Sequence, residues 1–224
     1  MARRRLREAP ASAPPPPVGT TTAALVTLGL IVVVILAGVG LNLALKPAPS
    51  GPFRNCHTQR ELAPRLYAGP PETCINPTKI YNGKIVTTRG QISVVFNAST
   101  TPITVNNFIV LALNGYYDGL PFFGKQAWVI QSGDPQGNGK GGPGYTLPAE
   151  VDPNDDWQPG SLGMARAPGG GPINGGQFFI TTDNWAGGTP SVAYNHFATV
   201  TLGFDVAQGL TTDDRIVRIE VHQG

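Results

Sequence analysis

The chain has 224 residues and a formal net charge of +2, and only 13% of its residues are charged, against roughly 25% in ordinary soluble domains. Its 29 glycines and 22 prolines exclude coiled coils and long surface helices, which both residue types break, while 41% hydrophobic content can still fill a core. Two cysteines and three histidines leave no zinc cluster and no dense disulfide scaffold, so a β-rich, turn-rich domain is predicted, with no cofactor and no metal.

Positive charge is concentrated at Arg3, Arg4, Arg5 and Arg7, and the remainder is close to neutral. A neutral body lacks the basic footprint of a nucleic-acid binder, so no nucleic-acid partner is expected. Residues 1–19 read as a basic, Pro-rich tail. Residues 20–45 carry no charge, and Ala23 to Leu45 give 23 mostly apolar residues. As a helix at 1.5 Å per residue this run spans about 35 Å, enough to cross a hydrocarbon core of about 30 Å. The arginines before it place the tail in the cytoplasm and everything after Leu45 outside, a single-pass cell-membrane topology. The rival is a cleaved signal peptide. Against it, the run exceeds the usual 7–15-residue apolar region and no A-x-A site follows.

Residues 46–80 read as an extracytoplasmic stalk containing Cys56 and Cys74, with 17 residues between them. Outside the cytoplasm a disulfide is the natural expectation, and closing such a loop would stabilise it by roughly 3 kcal/mol. Two unpaired small apolar residues are the alternative. A folded domain follows over 81–224. The β-branched runs on either side of Arg89-Gly90 predict a hairpin over Lys84 to Phe96. Thr104 resembles an N-cap, and Val105, Phe108, Ile109, Ala112 and Leu113 form one helical stripe ending at Asn114-Gly115. Trp128 to Gln131, Leu162 to Ala165, Gln177 to Thr181, Phe197 to Phe204 and Arg215 to Val221 read as strands. So few helices among about seven strands predict a mainly β fold, a closed antiparallel barrel.

Several strings fail on context. Gly137-x-Gly139-x-x-Gly142 matches a dinucleotide fingerprint, but Pro143 and Gly144 stand where a helix must begin. Gly139-Lys140 is no phosphate loop, because Gly141 replaces the required Ser or Thr. Ser161 lies outside a nucleophile elbow. Asp155-Asp156 sits in a Pro/Asn-rich loop, where adjacent carboxylates are usually solvated.

Three segments together resemble the cyclophilin family of peptidyl-prolyl cis-trans isomerases. Gly115–Gly119 (GYYDG) followed by Trp128–Asp134 (WVIQSGD) is similar to the family's Tyr-Asp-Gly…Phe-Met-Ile-Gln-Gly-Gly-Asp stretch. Gly163-Met-Ala165 with Asn174–Thr182 (NGGQFFITT) is similar to its Ser-Met-Ala…Asn-Gly-Ser-Gln-Phe-Phe-Ile signature. His196 precedes a strand as in the family's Lys-His-x-Val-Phe-Gly segment. The resemblance covers about residues 80–224 and implies a cyclophilin-like barrel with one or two helices. It also implies isomerisation of X-Pro bonds, assisting the folding of exported or surface proteins through their proline-containing segments. That reaction faces a barrier of about 18–20 kcal/mol from amide resonance and makes or breaks no bond. Differential binding of the twisted amide is therefore the chemistry required.

Position by position, the resemblance implies a proline pocket of Trp128, Val129, Phe179 and Val192. It adds Ala167 and Gln177 along the substrate groove, and Gln131 and His196 as polar catalytic groups. Phe179 and Trp128 would otherwise be read as core packing, and His196 as a capped strand-edge imidazole. The family's catalytic arginine has no counterpart. Counting back from Trp128 places Phe123 at its position, and counting forward from Asp118 places Gly124 there. Lys125 is the nearby cation and the candidate substitute, although an ammonium does not reproduce a guanidinium fork. Arg166 stands at the family's groove asparagine, and Ser191 replaces a tryptophan or histidine. A second expectation follows: a catalytically weak module that binds Pro-containing segments.

Overall fold

In the computed structural model, residues 47–185 and 193–224 are described. The hairpin forms as its alternation demands. β3 (Tyr81–Thr87) buries every second residue and pairs antiparallel with β4 (Gln91–Phe96), Ile85 opposite Ile92. Side chains of period two sort to opposite faces of a strand, and this rule organises the rest of the sheet. After α1 (Pro102–Leu113) come β5 (Gly124–Lys125), β6 (Val129–Ser132), β7 (Thr146–Leu147), β8 (Ser161–Arg166) and β9 (Ile173–Thr181). The chain ends with β10 (His196–Leu202), α2 (Phe204–Gly209) and β11 (Ile216–Gln223). The sheet order is β11-β3-β4-β10-β8-β9-β6-β5, with β7 added beside β9.

The barrel is open, which corrects the closed barrel expected from sequence. Its two ends, β5 and β11, form no ladder, and β5 is only two residues long. The gap is spanned by the segment before β5, through the isolated bridge Pro121–Arg215 and a bond from Phe122 N to Asp214 O at 3.1 Å. Proline has no amide hydrogen to extend a ladder. Among the described residues no helix is long and apolar enough to cross a membrane, and the anchor expected at 20–45 lies outside them.

Helix α1 begins at Pro102, with Thr101 rather than the expected Thr104 in the cap position. Proline suits the first helical position because its missing N–H is one that no helix can use. Thr104 serves differently. Its N–H and hydroxyl, with the N–H of Ile103, donate to the Glu150 carboxylate at 2.7–2.9 Å. A distant acid thus satisfies the free amides that a local side chain normally caps. Thr104 to Ala112 are all buried, so the helix is enclosed well beyond its apolar stripe. Its polar members are matched. Asn106 accepts from the amides of Cys74 and Ile75 and donates to Glu72, and Asn107 donates to Gly175 O and accepts from Tyr145. Phe108 meets Phe197 and Tyr117 at 4.8 Å and Phe178 edge-on at 5.4 Å.

The segment read as a stalk is packed on the barrel instead. Phe53, Cys56, Tyr67 and Ile75 enter the same core, and Cys56 and Cys74 are joined by a disulfide. A small hairpin, β1 (Glu61–Ala63) with β2 (Leu66–Tyr67), lies between them. The sequence showed no periodicity here because single apolar residues, spaced by polar loop, reach the core one at a time. α2 is the second of the one or two helices expected, at a place the sequence pattern did not mark. The strand expected to run to Phe204 stops at Leu202, where Gly203 takes a φ of +77° and turns the chain into the helix.

Candidate functional site

The site is built on one face of β6, β8 and β9. In β9, Phe178 points into the core while Gln177 and Phe179 share the opposite face, as strand alternation requires. Register supplies their neighbours. Gln131 lies across from Phe179 and Val129 across from Thr181, while Gly163 of β8 flanks Phe179 on the other side. The absence of a side chain at Gly163 is needed: a Cβ there would meet Phe179 Cζ and Trp157 Cη2, both at 2.5 Å. The Gln131 side-chain amide donates to Gln177 Oε1 at 3.3 Å, and Gln177 Nε2 donates to Gly141 O at 2.6 Å.

Gly141 belongs to the glycine-rich loop whose string resembled a phosphate-binding fingerprint. Its order comes from Asp134, fully buried, whose carboxylate accepts from the amides of Gln136, Asn138 and Gly139 at 2.7–3.0 Å. The loop is thus a wall of the site.

Two adjoining cavities make up the groove. The smaller, about 110 Å³, is lined by Gln126, Trp128, Val129, Phe179, Trp185 and Tyr194. The larger, about 570 Å³, includes Phe123, Ala167, Asn174 and Gln177. Gln131, Ala165 and Arg166 line both. The first can take a compact apolar ring and the second the polar chain attached to it.

Trp128, Val129, Gln131, Ala167, Gln177 and Phe179 are brought together as the sequence predicted. Val192 lies outside the described residues. Lys125 is not in the groove, which corrects its candidacy as the catalytic cation. Its ammonium donates to the backbone carbonyls of Gln208 and Leu210, and it lines neither cavity. Gly124 faces Gln131 across the ladder, and Phe123 lines the larger cavity. Neither carries a side-chain donor, whichever alignment is used.

His196 also departs from expectation. Its Nδ1 is 2.9 and 3.0 Å from the two Asp155 carboxylate oxygens, and it lines a separate cavity with Thr100, Thr101 and Glu150. A carboxylate only accepts, so Nδ1 is the donor in this pair. Trp157 lies against the imidazole, 4.6 Å between centroids, stacks on Phe179 at 5.7 Å and also meets Trp185 at 6.0 Å and Tyr194 at 6.4 Å. Asp155 is accordingly no idle solvated carboxylate.

Sequence reasoning missed the aromatic cover of the pocket. Trp185 contacts Trp128 at 4.1 Å and Tyr194 at 5.5 Å, and Tyr194 meets Phe179 edge-on at 5.1 Å. The available signal was a set of large aromatic residues in Gly/Pro/Asn-rich loops, where their area must be covered by something distant. Trp157 Nε1 is buried without a hydrogen-bond partner, consistent with a ring placed for its faces.

Comparison with known proteins agrees with this geometry. Residues 83–221 match the family described as cyclophilin type peptidyl-prolyl cis-trans isomerase/CLD. A peptidyl-prolyl cis-trans isomerase of Synechococcus elongatus is 42% identical over 95 residues, covering 42% of this chain and 63% of that protein, so the chain spans just under two thirds of it. Peptidyl-prolyl cis-trans isomerase B of Bacillus subtilis is 38% identical over 124 residues, covering 54% of this chain and 82% of the other. A crystal structure of a Cryptosporidium parvum cyclophilin type peptidyl-prolyl cis-trans isomerase, obtained in the presence of the dipeptide Ala-Pro, superposes with a TM-score of 0.56. It is 28% identical, over 64% of this chain and 99% of that one.

Proposed function

This chain belongs to the cyclophilin-type peptidyl-prolyl cis-trans isomerase family, and we propose that it isomerises X-Pro bonds of exported or surface polypeptides while held at a membrane by residues 20–45. It is an enzyme of the isomerase class. The observation that carries the reading is the shared face of Val129, Gln131, Gln177 and Phe179, an apolar floor beside two amide side chains. The proline ring rests on Phe179 and Val129. The amides of Gln131 and Gln177 hold the flanking peptide groups, so the ring is fixed while the carbonyl side rotates. Planar and twisted amides bind the floor alike. Rate is gained only from contacts that strengthen as the amide twists.

The membrane setting is supported by the uncharged run and its flanking arginines, and by the Cys56–Cys74 bridge, since disulfides persist in oxidising compartments. Full-length chain in detergent micelles should accelerate isomerisation of a succinyl-Ala-Ala-Pro-Phe anilide in a protease-coupled assay. Binding of the peptide with no rate above background would replace this reading by that of a weak Pro-binding module. Protease added to intact cells should degrade the domain and spare an N-terminal tag. Recovery of protected full-length protein would overturn the topology.

A further inference from the structure

One cation, Arg166, the last residue of β8, lines both cavities of the groove. Its Nε–H donates to Gly171 O at 2.6 Å, Nη1 to Ala193 O at 2.9 Å and Nη2 to Gly170 O at 2.8 Å. Three backbone carbonyls from two separate segments therefore fix the plane of the guanidinium. Of its five N–H donors, two remain without a partner among the described residues. Arg166 lines both cavities, a property it shares, among the described residues, only with Gln131 and Ala165.

That shared seam is where the reacting amide must lie. With the proline ring against Phe179 and Val129 in the smaller cavity and the preceding residues in the larger one, the X-Pro bond crosses between them. In the planar amide the nitrogen lone pair is delocalised into the carbonyl. As the bond twists, delocalisation is lost and the lone pair localises on nitrogen, which becomes a hydrogen-bond acceptor. A fixed cationic donor at that point binds the twisted state better than either planar isomer, without reorganising during the reaction. Other cations fit less well. Lys125 is held by carbonyls outside the groove, and Lys140 lines the larger cavity but not the smaller.

We propose that Arg166 is the catalytic donor of this enzyme, directing its two remaining N–H groups at the X-Pro amide as it twists. The inference rests on the isomerase reading above. No covalent bond forms or breaks and no proton is transferred. The guanidinium supplies a hydrogen bond that exists only near the top of the barrier.

The test is Arg166→Gln in the full-length chain in micelles, with kcat/KM from the protease-coupled assay. The Kd for an Ala-Pro-containing peptide is measured in parallel by NMR titration. Losing one charge-assisted donor to a transition state should lower kcat/KM about 10- to 100-fold, with Kd changed less than about threefold. Millimolar guanidinium should restore part of the rate. Rate and affinity falling together would show that Arg166 merely braces the turn at 167–172, and would overturn the proposal. Should Arg166→Gln fail to fold, Arg166→Lys keeps the charge but not the fork. Full activity in that variant would equally overturn it, and a reduced kcat/KM at unchanged Kd would support it. An active wild type beside an equally active Arg166→Gln sinks this inference while leaving the isomerase reading intact. A wild type that gives no rate at all sinks both.

Discussion

Phe178 and Phe179 are neighbours in β9, and nearly all of their surface is buried, yet they belong to two different kinds of interior. Phe178 meets Phe108, Tyr117 and Phe197 at centroid distances of 5.4, 5.7 and 6.4 Å, in edge-to-face geometry with all three. Its partners come from α1, from β10 and from the turn after α1, all close-packed. Phe179 meets Trp157, Tyr194 and Trp185 at 5.7, 5.1 and 5.9 Å. Those three rings are carried by irregular segments, not by helix or strand. A core ring is held by the whole sheet, whereas a loop-borne ring is held by few backbone bonds and yields at smaller cost. One strand thus builds a rigid core with one face and a ligand site with the other. The groove inherits its precision from the core behind it.

The largest effect that would test this contrast is on the core side. Phe178→Ala should cost about 3–5 kcal/mol of stability by denaturant unfolding, through lost burial and the cavity left behind. A cost under about 1 kcal/mol would mean that the core is not close-packed. Replacing Cys56 and Cys74 together by Ser should cost about 3 kcal/mol. Because Cys56 is itself a core residue, the loss should appear in the single unfolding transition of the whole domain. An early, separate transition would instead restore the independent stalk.

A smaller effect comes from Asp214, which ties the β3–β4 turn to the loop after α2. Burial raises its pKa, but bonds from the Thr211 backbone and from the side chains of Arg89, Thr88 and Thr211 outweigh this and hold it at about 2. A carboxylate depressed in the folded state stabilises it above its unfolded pKa of about 3.9. That contribution, about 2 kcal/mol, is lost as pH falls from about 4 through 2. Asp214→Asn should flatten the acid limb of the stability curve, and an unchanged limb would show the network to be inert. Smallest in energy is the groove. Phe179→Ala should weaken Ala-Pro peptide binding by about tenfold, or about 1.4 kcal/mol, and cost less stability than Phe178→Ala. Equal stability losses would erase the distinction between the two faces.

What could be read in advance follows a consistent physical division. The β3–β4 hairpin, the stripe of α1 and the β9 segment are local patterns, set by side-chain period and turn chemistry within a few residues. Gln131, Gln177 and Phe179 were legible through the resemblance of their motifs to the cyclophilin family, and the register of β6 and β9 then sets them on one face. The Thr101 cap position escaped because Glu150, far away in sequence, supplies the carboxylate that Thr104 was expected to replace. Lys125 and Arg166 could not be ranked from the chain. Each is one cation near a predicted groove, and their roles depend on which carbonyls happen to surround them. His196 was assigned to the pocket by its place before β10, but Trp157, from a loop about 40 residues earlier, lies between it and that role.

The amino-acid sequence by itself determined the longer strands, the helix α1 and the pairing candidates Cys56 and Cys74. These depend on short-range periodicity and residue chemistry. Only the tertiary structure decided that the sheet stays open between β5 and β11, that Phe53, Cys56, Tyr67 and Ile75 enter the core, and that Trp185 and Tyr194 line the pocket while Trp157 stacks on Phe179. It also decided that the guanidinium of Arg166, and not the ammonium of Lys125, stands at the seam of the groove. Each of these depends on contacts between residues far apart in the chain, whose geometry exists only once the sheet has curled around α1.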